Sequence, residues 1–161
     1  MKKFYATITA CLIMAFLVPM ADYMAVGRDT PLYTHYIYMA GHAGWIHYTV
    51  NAWSLLILHN LFRWYRVLAA WLWAVAVSFI YLPEKPLIGA SVITCFFIGF
   101  YLRRLWAKDR LTASMTVGLI ALTCILPGFA AFAHVSAMII GLLFYYAEMG
   151  IRRIHNEMKE G

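Results

Sequence analysis

Five side chains in this sequence combine residue types that do acyl-transfer chemistry: His42, His47, Asn51, Ser91 and His134. A serine hydroxyl beside an imidazole makes a nucleophile with its own base. His47 and Asn51 are four residues apart, so on a helix they share one face. Each offers an N–H donor, and two donors aimed at one point are what a tetrahedral oxyanion requires. Ser91 follows Pro86 and Gly89-Ala90. That places it in a first helical turn, where backbone N–H groups are unpaired and the helix dipole is positive. Its own N–H is then a third donor. No Asp or Glu lies near His134 at similar depth, so the pair reads as a dyad, not a triad.

The elements that must position these groups are apolar. The chain is 64% hydrophobic and 12% charged over 161 residues. Soluble domains are nearer half apolar and a quarter charged, so lipid is the expected solvent for much of this surface. An all-α integral membrane bundle follows, with six helices over about residues 4–26, 44–62, 67–82, 88–106, 111–126 and 131–152. Breaks fall at Gly27 to Pro31, at the Arg63 and Arg66 segment, at Pro83-Glu84-Lys85-Pro86, at the charged loop containing Lys108, Asp109 and Arg110, and at Pro127-Gly128. Residues 32–41 read as an aromatic connector at an interface, and Ile154 to Gly161 as a polar tail. The first run starts after Met1-Lys2-Lys3, like a signal peptide. It is long for one, and a retained helix is expected. Cys11, Cys95 and Cys124 sit in apolar runs with no metal-ligand spacing and read as small buried hydrophobes. No metal or cofactor is expected.

Six spans put both termini on one side. Eleven of the thirteen Lys and Arg residues then fall on that side, leaving Arg28 and Lys85 opposite. The positive-inside rule makes the basic side cytoplasmic, in a plasma (inner) membrane. The net charge of +6 is thereby orientation machinery, and nucleic acid is not an expected partner. All five candidate residues land at the opposite, outer side at shallow depth. His59 lies roughly 18 Å deeper than His47, at about 1.5 Å per residue, and falls outside the cluster. Ionised groups at such depth cost roughly 2.5–3.5 kcal/mol on the insertion scale, which makes polar side chains there functional suspects. Ala133, Ala137 and Gly141 form a small-residue stripe that lets the last helix approach a neighbour closely.

At these residues the chain resembles the rhomboid family of intramembrane serine proteases. The family pattern HxxxxHxxxN is met by His42, His47 and Asn51. GxSG is met in part by Gly89-Ala90-Ser91-Val92, and AHxxGxxxG in part by Ala133-His134 through Ala137 to Gly141. The resemblance covers essentially the whole chain and implies one six-helix rhomboid-like domain over residues 1–161. It implies Ser91 as nucleophile and His134 as general base, then acid. His47, Asn51 and the Ser91 N–H become the oxyanion donors, with His42 and Gly89 as supports. The implied activity is endopeptidase cleavage in or near transmembrane segments, with single-span membrane proteins as substrates and the site open to the extracytoplasmic side. Three positions depart from the pattern: Val92 and Ala137 replace glycines, and Cys95 stands where an aromatic is common.

Alternative readings stay open. Val92 motivates a catalytically inactive rhomboid-like protein that binds transmembrane helices. A haem or metal protein lacks a second histidine facing His134 at any derivable spacing. A transporter lacks a pair of broken helices with midplane charges. Taken singly, Ser91 reads as a helix serine bonded back to a carbonyl. Asn51 reads as interhelical glue. Tyr33, Tyr36, Tyr38, Trp45 and Tyr48 read as an aromatic belt, and His35 and His155 as residues without a role. Phe129 and Phe132 flank the fifth loop, as a lid or as lipid-facing packing.

Overall fold

The structure, a computed structural model, describes residues 2–80, 86–123 and 130–160. The described chain is all-α: α1 (Lys2–Leu17), α2 (Ala21–Met24), α3 (Thr34–Ile37), α4 (Trp45–Leu58), α5 (Trp64–Ile80), α6 (Ser91–Lys108), α7 (Arg110–Thr123) and α8 (Ala131–Glu160). Short 3-10 turns continue α1 over Val18–Met20 and α4 over His59–Leu61. The expected breaks at Pro83-Glu84-Lys85 and Pro127-Gly128 lie outside the described residues, as do Tyr81, Leu82, Cys124 and Phe129.

Several boundaries differ from the sequence expectation, for local reasons. The first helix tightens at Pro19, which lacks the N–H that an α-helix needs there. Helix α5 starts at Trp64, so Arg66 belongs to it and does not close the helix before. Helix α6 starts at Ser91, later than expected, because Leu87 is held in extended backbone by an antiparallel bridge to Val26. Helix α7 is capped by Asp109, whose carboxylate accepts from the Thr112 N–H at 3.1 Å and the Thr112 hydroxyl at 2.6 Å. These bonds hold the Asp109 carboxyl below its ordinary range. The expected polar tail is helical through Glu160. Pairs at i,i+4, Glu148 with Arg152 and Arg153 with Glu157, run down that stretch.

Among the described residues, two helices are long and apolar enough to cross a membrane, Lys2–Met24 and Ala131–Lys159. Helices α5 and α7 are apolar but shorter, and α6 carries Arg103, Arg104 and Lys108 in its last turns.

The core is organised on α6 and α8. Ser91 meets His134, Gly99 meets Met138, and Phe100 meets Tyr145, so the two helices run parallel. Their approach depends on missing side chains. A Cβ on Gly99 would lie 1.9 Å from the Met138 carbonyl oxygen, and one on Gly141 1.9 Å from that of Phe96. Ala133 and Ala137 are fully buried in the same seam, as the small-residue stripe implies. Phe96, Phe97 and Val92 fill the space towards Ala70, Ala74 and Val77 of α5. Helices α1 and α4 form a second, smaller cluster of Cys11, Met14, Ala52 and Leu55, which joins the first through Ala90.

The far end of the seam is charged. Arg66 holds Glu148 through two bonds, Nε to Oε2 at 2.8 Å and Nη2 to Oε1 at 2.6 Å. It also donates to the Leu61 carbonyl, and its guanidinium lies 4.2 Å from the Phe100 ring centroid. Arg152 completes the set on Glu148. With its donors matched, this buried pair is a specific clamp between α5 and α8.

Candidate active site

Helix packing sets the geometry at the other end of the seam. Ser91 is the first residue of α6 and His134 lies in the first turn of α8. Because the helices are parallel, both positive dipole ends point to the same place. His134 Nε2 lies 2.8 Å from Ser91 Oγ. In the tautomer protonated at Nδ1, Nε2 accepts the serine proton. His134 is buried while Ser91 is only partly so, which leaves the hydroxyl reachable. The Ser91 N–H belongs to the first turn of α6, where no intrahelical acceptor exists.

The turn before Ser91 is fixed from a segment that sequence reasoning left as an interfacial connector. The Gly89 N–H donates to the Tyr38 carbonyl at 2.9 Å, and the Tyr38 hydroxyl donates to the Ala74 carbonyl at 2.9 Å. Tyr38 is 1% exposed, so it is a core residue and not part of an aromatic belt. Its neighbours Tyr33, Tyr36 and Trp45 are exposed. No spacing rule links Tyr38 to Gly89, and nothing in the sequence marks the pairing.

Gly89 has φ +107, a conformation that favours glycine, and it also makes room for His47. A Cβ there would lie 2.5 Å from the His47 ring. The His47 imidazole therefore sits against the turn that carries Ser91, and its ring meets that of His42. His42 is fully buried just before α4. Its ring packs edge-on against His47 at 5.3 Å and Tyr48 at 5.6 Å. Among the described residues neither His42 nitrogen meets hydrogen-bond geometry, with the Ala40 backbone the polar group acting on it. That arrangement props the His47 ring from behind.

The sequence matches no family model and no curated protein.

Asn51 departs from expectation. Its amide donates back to the His47 carbonyl at 2.9 Å, along its own helix. One of its two N–H donors is thus committed and one remains.

The departures from the resemblance are absorbed by packing. Val92 is 2% exposed and lies in the main core. Cys95 is buried in the same cluster. His59 bonds the Leu56 carbonyl at 2.7 Å and packs on Phe4, away from the site. His35, assigned no role from sequence, is buried with Nδ1 2.9 Å from Ser78 Oγ. Phe132 at the start of α8 is 49% exposed. No group of three or more His, Cys, Asp or Glu side chains among the described residues is arranged to hold a metal.

Proposed function

We propose that this chain is an intramembrane serine endopeptidase of rhomboid type, hydrolysing peptide bonds in or near transmembrane segments. The observation that carries the proposal is the 2.8 Å contact between Ser91 Oγ and His134 Nε2, made across two helices at a shared N-terminal end. Two helices suited to a membrane, the apolar surface and the charge asymmetry support a multi-pass protein with both termini cytoplasmic. In that orientation the site opens to the extracytoplasmic side, where a substrate helix end can unwind and water can enter.

The steps follow from the groups present. Ser91 Oγ attacks the scissile carbonyl carbon while its proton passes to His134 Nε2. Negative charge on the carbonyl oxygen is met by the Ser91 N–H, His47 and the free Asn51 donor. The C–N bond breaks as His134 gives its proton to the leaving amine. Water then attacks the ester, with His134 taking its proton, and Ser91 is released.

A second reading, a non-catalytic binder of transmembrane helices, is favoured by one observation: the Asn51 amide bonded to its own helix. Incubation of purified protein with a single-span substrate, followed by gel electrophoresis, separates the two. The protease reading expects cleavage by wild type and none by Ser91→Ala of equal stability. Absence of cleavage by wild type across a panel of such substrates favours the binder.

A further inference from the structure

A cavity of about 480 Å³ lies between the two hydrophobic clusters, bounded by α1, α4, the start of α5 and the first turn of α6. That size is typical of ligand pockets. Its walls are mostly apolar, with Met14, Phe97 and Ala90 at one end. Lys3, Arg63 and Trp64 stand at the other end. Lys3 and Met14 are separated by roughly 16 Å along α1, at about 1.5 Å per residue. The cavity therefore runs along α1 from its charged lining residues to Met14, and the Thr7 hydroxyl between them is committed to the Lys3 carbonyl.

The charges at the Lys3 end are uncompensated. No acidic residue lines the cavity, and among the described residues neither Lys3 nor Arg63 forms an ion pair. Both are exposed, unlike Arg66 three positions on, which is buried and fully bonded to Glu148. Trp64 is 78% exposed beside them, a side chain favoured where water meets lipid. Two cations and an indole over an apolar slot complement a phosphate carrying a hydrocarbon chain.

We propose that this cavity binds one anionic phospholipid of the cytoplasmic leaflet. The phosphate sits at Lys3 and Arg63, and one acyl chain runs between α1 and α4 to Ala90. Ala90 is buried and immediately precedes Ser91, so the chain end packs behind the turn that holds the nucleophile. The inference rests on the membrane placement proposed above, and not on proteolysis.

The test is native mass spectrometry of the delipidated full chain in neutral detergent, titrated with phosphatidylglycerol or with phosphatidylcholine. One tightly held phosphatidylglycerol per chain is expected, with phosphatidylcholine bound far more weakly. The double variant Lys3→Gln/Arg63→Gln should weaken phosphatidylglycerol about twenty-five-fold, at roughly fivefold per basic residue near an anionic headgroup. Ala10→Trp, which fills the slot and keeps both charges, should also abolish the adduct. Lys159→Gln should leave it unchanged, and so should Ser91→Ala, which separates lipid binding from catalysis.

Equal binding of the two lipids, or retention by either cavity variant, overturns the proposal. So does displacement by millimolar inorganic phosphate, which marks a free-anion site, or by a single-span peptide, which marks a substrate groove. Protein released from membranes by alkaline carbonate overturns the membrane placement itself. Protein that stays in the membrane without lipid selectivity overturns the lipid site alone.

Discussion

Among the described residues two histidine–serine contacts have nearly equal length and different surroundings. His134 and Ser91 are 2.8 Å apart, and His35 and Ser78 are 2.9 Å apart. Ser78 is fully buried and donates its hydroxyl proton to the Val75 carbonyl at 2.6 Å. His35 Nδ1 must then be the donor to Ser78, so the imidazole cannot act as its base. The His35 ring also stacks flat on Phe79 at 4.0 Å. The Ser78 hydroxyl and His35 Nδ1 are both committed in that contact, which pins the α3 segment to α5. Ser91 instead starts a helix, is partly exposed, and follows the Gly89 turn against which the His47 ring packs. A short serine–histidine distance is therefore not sufficient for catalysis. The direction of the serine proton, and what surrounds the oxygen after it leaves, decide the outcome.

Four substitutions probe this contrast. The largest expected effect is His134→Ala, which should lower cleavage about 10⁶-fold, the scale of nucleophile–base loss in serine hydrolases. His35→Ala should leave the rate per folded molecule unchanged in the same gel assay. His47→Ala comes next. Removing one oxyanion donor should cut kcat about 10²–10³-fold with little change in Tm. Smallest is Ser78→Ala, which leaves a buried imidazole N–H without a partner. It should cost about 1–3 kcal/mol in thermal or denaturant unfolding and leave cleavage intact. If Ser78→Ala removed cleavage as completely as Ser91→Ala, the distinction between the two pairs would fail.

Much of the site was readable from sequence because it rests on short spacings. His47 and Asn51 are one helical turn apart, and Ser91 follows a proline–glycine turn. Ala133, Ala137 and Gly141 repeat every four residues, which locates the α6–α8 seam without its partner being known. What escaped depends on tertiary pairing. The Arg66 and Glu148 pair spans 82 positions, and charge counting treats Arg66 as a helix-end cation. Tyr38 looks like its interfacial neighbours because burial of one aromatic in five has no local signature. His35 is indistinguishable from a loop histidine until Ser78 arrives from α5. Asn51 shows the limit of face arguments: four-residue spacing puts two donors on one face, but the amide of the second also reaches its own helix carbonyl. The helical tail beyond Arg152 was hidden by composition, since a polar all-round helix held by i,i+4 pairs resembles a coil segment.

The all-α architecture follows from apolar runs punctuated by proline and glycine, and the helices appear close to where those runs lie. Among the described residues two helices have the length and apolarity to cross a membrane, so six crossings are a stronger statement than those two properties carry alone.

The most direct test is covalent labelling of the full-length protein with a fluorophosphonate, followed by peptide mass spectrometry. The account predicts one modified residue, Ser91, with labelling lost in His134→Ala and retained in His35→Ala. Labelling at Ser78, or none at Ser91 in a folded protein, would contradict it.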